Sequence, residues 1–219
     1  MWEVVLGAII AIVLTIAVEN LRKPRLALQV APHVDNEYHD RPATKARFLL
    51  IHCVNMPLPL FARWMSRSAA LQCHGTVTFH HLDGQNVFGR SMPIRWSGSP
   101  EPTPLQFIVG EYRGLIVDPQ RMSTDSRVDI YPGEGWPLDV AARFDDEPDC
   151  HGWSNLNYFS NPVWRNPDWR LPPGRYLVNV TVVSSGERCT RVFRLINDVP
   201  QRDFRIEEAM PNDHVYSGT

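Results

Sequence analysis

Leu171-Pro-Pro-Gly-Arg-Tyr-Leu-Val-Asn-Val-Thr-Val-Val-Ser-Ser-Gly-Glu-Arg-Cys-Thr-Arg-Val-Phe-Arg-Leu-Ile196 is the stretch that decides the fold. Tyr176, Val178, Val180 and Val182 recur at every second residue, the period of a strand with one buried face. Ser185-Gly186 then supplies a turn, and Cys189 to Ile196 returns. The whole reads as a β-hairpin. Asn179-Val-Thr181 matches a glycosylation acceptor but falls inside the first of these strands, so it reads as strand.

The same signals recur upstream. Leu26, Leu28 and Val30 alternate directly after Pro24, and Arg47 to Val54 is an apolar run of the kind buried on both faces. From Leu71 to Leu82, Leu71, Cys73, Val77 and Phe79 are expected on one face, with Gln72, His74, Thr76, Thr78 and His80 on the other. Asp83-Gly84 marks a turn before a return strand carrying Met92, Ile94 and Trp96. Further strands are expected at Leu105–Val109, Leu115–Val117, Val128–Tyr131 and Leu138–Phe144. Many short strands separated by turns favour a sandwich over a barrel. The lead-in Leu171 to Tyr176 resembles the entry to the penultimate strand of immunoglobulin-like sandwiches. The expected class is mainly β, an immunoglobulin-like β-sandwich preceded by one N-terminal transmembrane helix. Its divisions are residues 1–23 (anchor and basic flank), 24–210 (β domain) and 211–219 (polar tail).

The anchor is read from Val4 to Val18, which carry no charge. Trp2 to Leu21 is about 20 residues, which at ~1.5 Å each covers the ~30 Å hydrocarbon core of a bilayer. Trp2 suits one interface, and Pro24 stops the helix. A cleaved signal peptide is the alternative, but it wants a positive segment before the apolar run. Here Glu3 precedes the run, while Arg22, Lys23 and Arg25 follow it. Positive residues stay on the cytoplasmic side, so the expected topology is N-terminus outside and β domain in the cytoplasm. Gly7, Ala11 and Thr15 lie four apart, a spacing that lets two helices approach closely and form a weak homo-oligomer. Small residues are also simply common in membrane helices.

Hydrophobic residues make up 43% and charged residues 21%, the profile of a folded chain, and a net charge of -2 lacks the basic surface of a general nucleic-acid binder. No nucleic-acid partner is expected. Cys53, Cys73, Cys150 and Cys189 do not form the dense framework of a small secreted domain and read as free thiols.

Metal is not expected. Alternation puts Cys73 and His81 on one face and His74 and His80 on the other, too dispersed for tetrahedral zinc. Asp145-Asp-Glu147 with Asp149 lacks the spacing of a calcium loop. No nucleophile elbow or phosphate loop is present, so no catalytic residue and no cofactor is assigned.

Two surfaces stand out. Leu60-Phe-Ala-Arg-Trp-Met-Ser-Arg67 sets Leu60, Phe61, Trp64 and Met65 on one side of a short turn, with Arg63 and Arg67 on the other. That mix suits a membrane interface, with Trp64 dipping in. The alternative is a cap with its aromatics turned into the core. Gly152 to Arg170 carries Trp153, Tyr158, Phe159, Trp164 and Trp169 among Asn155, Asn157, Asn161 and Asn166. Long irregular loops are often functional, and aromatics with amides are the chemistry of sugar and protein recognition. The candidate binding residues are Trp153, Asn155, Tyr158, Trp164, Asn166 and Trp169. The alternative is that the tryptophans cover an open end of the core.

Glu19-Asn-Leu-Arg-Lys-Pro-Arg25, Phe79-His-His-Leu-Asp-Gly-Gln-Asn-Val-Phe-Gly-Arg90 and Trp164-Arg-Asn-Pro-Asp-Trp169 together resemble an uncharacterised bacterial group of N-terminally membrane-anchored β-domain proteins. The resemblance covers nearly the full chain and implies no activity. The expected function is a membrane-tethered cytoplasmic binding or scaffolding module for a protein or small-molecule partner. The rivals are an effector that oligomerises through its helix on sensing a ligand, and a hydrolase.

Overall fold

The computed structural model describes all residues except 39–40, 63, 120, 124–125, 211–212 and 214–219. Helix α1 (Trp2–Arg22) has 21 residues and buries none of them against the rest of the chain. It is long and apolar enough to cross a membrane. Beyond it the chain is mainly β, in antiparallel sheets.

One sheet contains β1 (Leu26–Val30), β2 (Val34–Tyr38), β3 (Arg41–Asn55), β6 (Arg95–Trp96), β10 (Gly135–Phe144), β11 (Cys150–Gly152) and β12 (Arg170–Leu171), in the order β1-β3-β10-β11-β12, with β2 on β3 and β6 on β10. The other contains β4 (Ala70–His80), β5 (Met92–Pro93), β9 (Val128–Ile130), β13 (Arg175–Val183), β14 (Arg188–Ile196) and β15 (Arg205–Glu208), in the order β15-β14-β13-β4-β5, with β9 on β4. Strands β7 (Leu105–Val109) and β8 (Tyr112–Ile116) form a separate hairpin.

Both sheets feed one buried core. Leu49, Ile51 and Cys53 of β3 and Leu138 of β10 meet Val77 and Phe79 of β4 and Val178, Val180 and Val182 of β13. Side chains on these inner faces alternate with outward ones because the pleat has a period of two.

The structure departs from the sequence reading at several points. Leu71 is exposed, whereas Ala70 and Cys73 are both buried. Gln72 has a φ of 53° and the β4–β9 register shifts between Ala70 and Cys73. This bulge inserts one residue and turns Leu71 outward. The expected return strand splits. Met92 pairs with β4, but Arg95 and Trp96 pair with Asp139 and Leu138 of the opposite sheet. A change of sheet cannot be read from alternation, because Met92, Ile94 and Trp96 face the same core throughout. The strand expected at Leu115–Val117 spans Tyr112–Ile116, and β2 had no alternating signal.

Among the described residues of the 60–67 turn, Leu60–Ala62 form a helical turn. Leu60, Phe61 and Trp64 point to solvent, and Ala62 is the residue that enters the core. Arg63 lies outside the described residues, as does the tail apart from Asp213, whose carboxylate pairs with Arg194 at 2.5 Å.

Candidate functional site

The outer face of the first sheet carries a second, smaller apolar cluster. Ala46 of β3, Ala142 and Phe144 of β10, and Trp153 are buried there, with Phe48, Tyr158 and Trp164 packed against them. These β3 residues alternate with the Leu49, Ile51 and Cys53 side chains that face the main core. The apolar run from Arg47 to Val54 therefore has buried positions on both faces, because the 152–170 segment folds over its outer side.

That segment is built on specific hydrogen bonds. Ser154 caps the turn Asn155–Phe159: its hydroxyl accepts from the Leu156 N–H, and its own N–H donates to the Asn157 side chain. The Asn157 amide donates to the Gly152 and Trp164 carbonyls at 3.0 and 3.1 Å, tying the two limbs together. Asn166 caps the turn Pro167–Trp169, and its carbonyl lies 3.2 Å from His151 Nδ1. The acidic loop supplies counter-charges. Asp146 and Glu147 hold Arg165, and the buried Asp149 holds Arg170. Arg165 also lies over the Phe144 ring at 4.5 Å. The carboxylates of Asp146, Glu147 and Asp149 thus fasten the aromatic segment to the sheet.

Between this segment and the sheet is a cavity of about 560 Å³. It falls within the range of small-molecule sites, roughly 300–1,000 Å³. Phe48 and Leu50 form part of its floor, Trp153, Tyr158 and Trp164 line a wall, and Arg95, Ser97, Glu101 and Asp139 supply polar groups. Tyr158 and Trp164 are 6.1 Å apart and meet edge to face, an arrangement that positions ring edges.

Arg95 and Asp139 are cross-strand partners in β6 and β10. Arg95 Nε lies 3.3 Å from Asp139 Oδ2, and Ser97 Oγ donates to Asp139 Oδ1 at 2.9 Å. Arg95 also donates to the Asn155 side chain at 2.8 Å and the Ser99 carbonyl at 2.9 Å, and its guanidinium lies 5.3 Å from the Tyr158 ring centre. Burial pushes the Asp139 carboxyl up to about 6, against the opposing pull of Arg95 and Ser97. Burial likewise pushes the Tyr158 phenol up to about 12, with Arg95 pulling it back. The Tyr158 hydroxyl donates to Glu101 at 3.4 Å. A charged pair and hydroxyls inside an aromatic wall can orient a ring-bearing ligand with polar substituents.

The six residues proposed from sequence divide. Trp153, Tyr158 and Trp164 line the cavity. Asn155 is buried and holds Arg95 and the Ser123 carbonyl. Trp169 lies in the main core, 4.9 Å from Phe88 and under Arg90 at 4.6 Å, and Asn166 serves as a cap. Arg95 and Asp139 were missed. Their signal was charge inside apolar strand patterns: Arg95 is the lone charge in Met92–Trp96, and Asp139 is one of two, with Arg143, in Leu138–Phe144. Among the described residues, no group of three or more histidine, cysteine or acidic side chains converges to hold a metal ion. Comparison with protein-family models, with curated proteins and with solved structures returned no match.

Proposed function

We propose that this chain is a membrane-tethered recognition module that binds a small ring-bearing ligand in the cavity on the outer face of the first sheet. The observation that carries it is the cavity itself, where a buried Arg95–Asp139 pair stands beside Trp153, Tyr158 and Trp164. The test uses the full chain in lipid nanodiscs, titrated with nucleosides, monosaccharides and aromatic amines while tryptophan fluorescence is read. One class is expected to give a saturable change that Trp164→Ala removes and Trp64→Ala keeps. A response that survives Trp164→Ala puts the ligand elsewhere.

The finer fold reading is an immunoglobulin-like sandwich. Its support is that β1-β3-β10 and β14-β13-β4 are neighbours as strands A-B-E and G-F-C are in that fold. The Tyr176 hydroxyl donates to the Pro172 carbonyl at 2.8 Å where the chain enters β13, as in a tyrosine corner. The chain departs from the pattern in that β11, beside β10, follows it in sequence, and β13 has no cysteine to pair with Cys53.

For topology, Arg22, Lys23 and Arg25 favour a cytoplasmic domain. A Ser185→Cys chain in intact bacterial spheroplasts should resist an impermeant maleimide until lysis, and labelling before lysis reverses the orientation. A second reading, an effector that oligomerises in the membrane, has one observation in its favour. The face carrying Gly7, Ala11 and Thr15 is uncovered: a side chain at Gly7 would meet nothing within 4 Å, and the Thr15 hydroxyl bonds to the Ala11 carbonyl of its own helix. Gly7→Leu with Ala11→Leu should then abolish self-association in a transmembrane reporter.

A further inference from the structure

The chain leaves α1 at a corner shared with the connection between β3 and β4. The Ser68 N–H donates to the Arg22 carbonyl at 2.7 Å, and the Arg67 guanidinium donates to the Lys23 carbonyl at 2.7 Å. The buried Asn55 side chain accepts from the Arg25 N–H at 3.1 Å and donates to the Ser68 and Ile130 carbonyls, both at 3.1 Å. The Met56 N–H donates to the Arg25 carbonyl at 2.8 Å. The helix end is therefore fastened to this connection on both sides, with no free linker between anchor and domain.

The same connection turns its large apolar side chains outward. Leu60, Phe61 and Trp64 are 74%, 76% and 79% exposed, while Leu58 and Ala62 between and before them are buried and seat the segment on the core. Three such side chains within five residues make an apolar projection, which calls for a covering partner. Trp64 lies three residues before Arg67, about 10 Å of extended chain from the residue that grips the helix end.

The charges at the corner match an anionic surface. Arg22, Lys23, Arg25 and Arg67 gather there, with Glu19 3.9 Å from Arg22 as an acidic neighbour. Burial and the Arg25 charge both hold the Arg67 guanidinium below its usual range, and its Nε is shielded from solvent with no acceptor.

We propose that this corner docks on the surface of the bilayer that α1 spans. Leu60, Phe61 and Trp64 enter the headgroup layer beside the emerging helix, and Arg22, Lys23, Arg25 and Arg67 meet anionic lipid headgroups. The domain is thereby held at a fixed angle to the membrane. The proposal rests on the reading that α1 crosses a bilayer, and it does not depend on the cavity.

The test uses the full chain carrying Trp2→Phe, reconstituted in phosphatidylcholine–phosphatidylglycerol vesicles with acyl chains brominated near the headgroups. Bromine is expected to quench part of the tryptophan emission, and adding Trp64→Phe is expected to remove that quenched part. Leu60→Ser with Phe61→Ser should reduce the quenching while leaving the melting temperature unchanged, because both side chains are already exposed. Alkaline extraction of the vesicles separates the two readings. A chain that resists extraction but shows no quenching, or quenching that persists after Trp64→Phe, overturns the docking alone. Release at alkaline pH overturns the spanning helix and the docking with it.

Discussion

Arg95 and Asp139 face each other across β6 and β10 with Arg95 Nε 3.3 Å from Asp139 Oδ2 and only 5% and 8% of their side chains exposed. A pair this deep is held by hydrogen bonds from Ser97 and to Asn155 as much as by charge. Losing one member leaves the other charged and desolvated. Asp139→Ala should therefore cost about 3–5 kcal/mol. At roughly 2–4 °C per kcal/mol for a domain of this size, the melting temperature should fall by about 10 °C.

The same carboxylate makes a pH-dependent contribution whose sign follows from burial raising its pKa. Its folded pKa is raised to about 6 from a reference of 3.8, so its stabilising contribution is complete below about pH 4 and is lost as pH rises through 6. The melting-temperature advantage of the parent chain over Asp139→Asn should shrink between about pH 4 and pH 6. An advantage that grows over that window would show the ion pair outweighing desolvation.

The tryptophans of the 152–170 segment should separate by burial. Trp153 and Trp169 are each 3% exposed, so alanine at either should cost ~3–5 kcal/mol, seen as a large fall in the thermal midpoint. Trp164 is only partly buried and holds a φ of 74°, a left-handed conformation that favours glycine. Trp164→Gly should accordingly lower the midpoint by less than Trp153→Ala does. Equal losses at both positions would make Trp164 a core residue.

Gly75 of β4 pairs with Val182 of β13. A Cβ there would fall 2.0 Å from the Thr181 carbonyl oxygen, a backbone atom that cannot swing away. Gly75→Ala should cost about 3 kcal/mol or more by forcing the two strands apart. Circular dichroism through a thermal melt reads this directly, and a midpoint within a degree or two of the parent would mean the strands can slide.

The thiols should differ in reactivity. Cys53, Cys73 and Cys150 are buried, and burial raises all three, Cys73 to about 11. Cys189 is only half-buried. Iodoacetamide should modify Cys189 first in the native chain, with the other three at least about tenfold slower until denaturant is added. Rapid native labelling of Cys53 would require a core that opens.

What the residues alone determined is whatever depends on local pattern. The apolar run before Arg22 makes a helix of membrane length, because 1.5 Å per residue is a local constant. Alternation placed β1, β13, β14 and most of β4, because a pleated strand needs no knowledge of its neighbours to declare two faces. Tertiary structure decided the rest. The bulge at Gln72 reversed Leu71, and the step between β5 and β6 moved one apolar stretch from sheet to sheet. Outward Leu60, Phe61 and Trp64 came from the seating of Leu58 and Ala62. Above all, the 152–170 segment could face solvent or sheet with the same tryptophans. The internal ties of Asn157, with bonds from the segment to Arg95 and to the acidic loop at Asp146–Asp149, fold it over β3 and β10. Arg95 meets Asp139 for the same reason: they stand 44 positions apart in the chain, and nothing local to either one specifies the other.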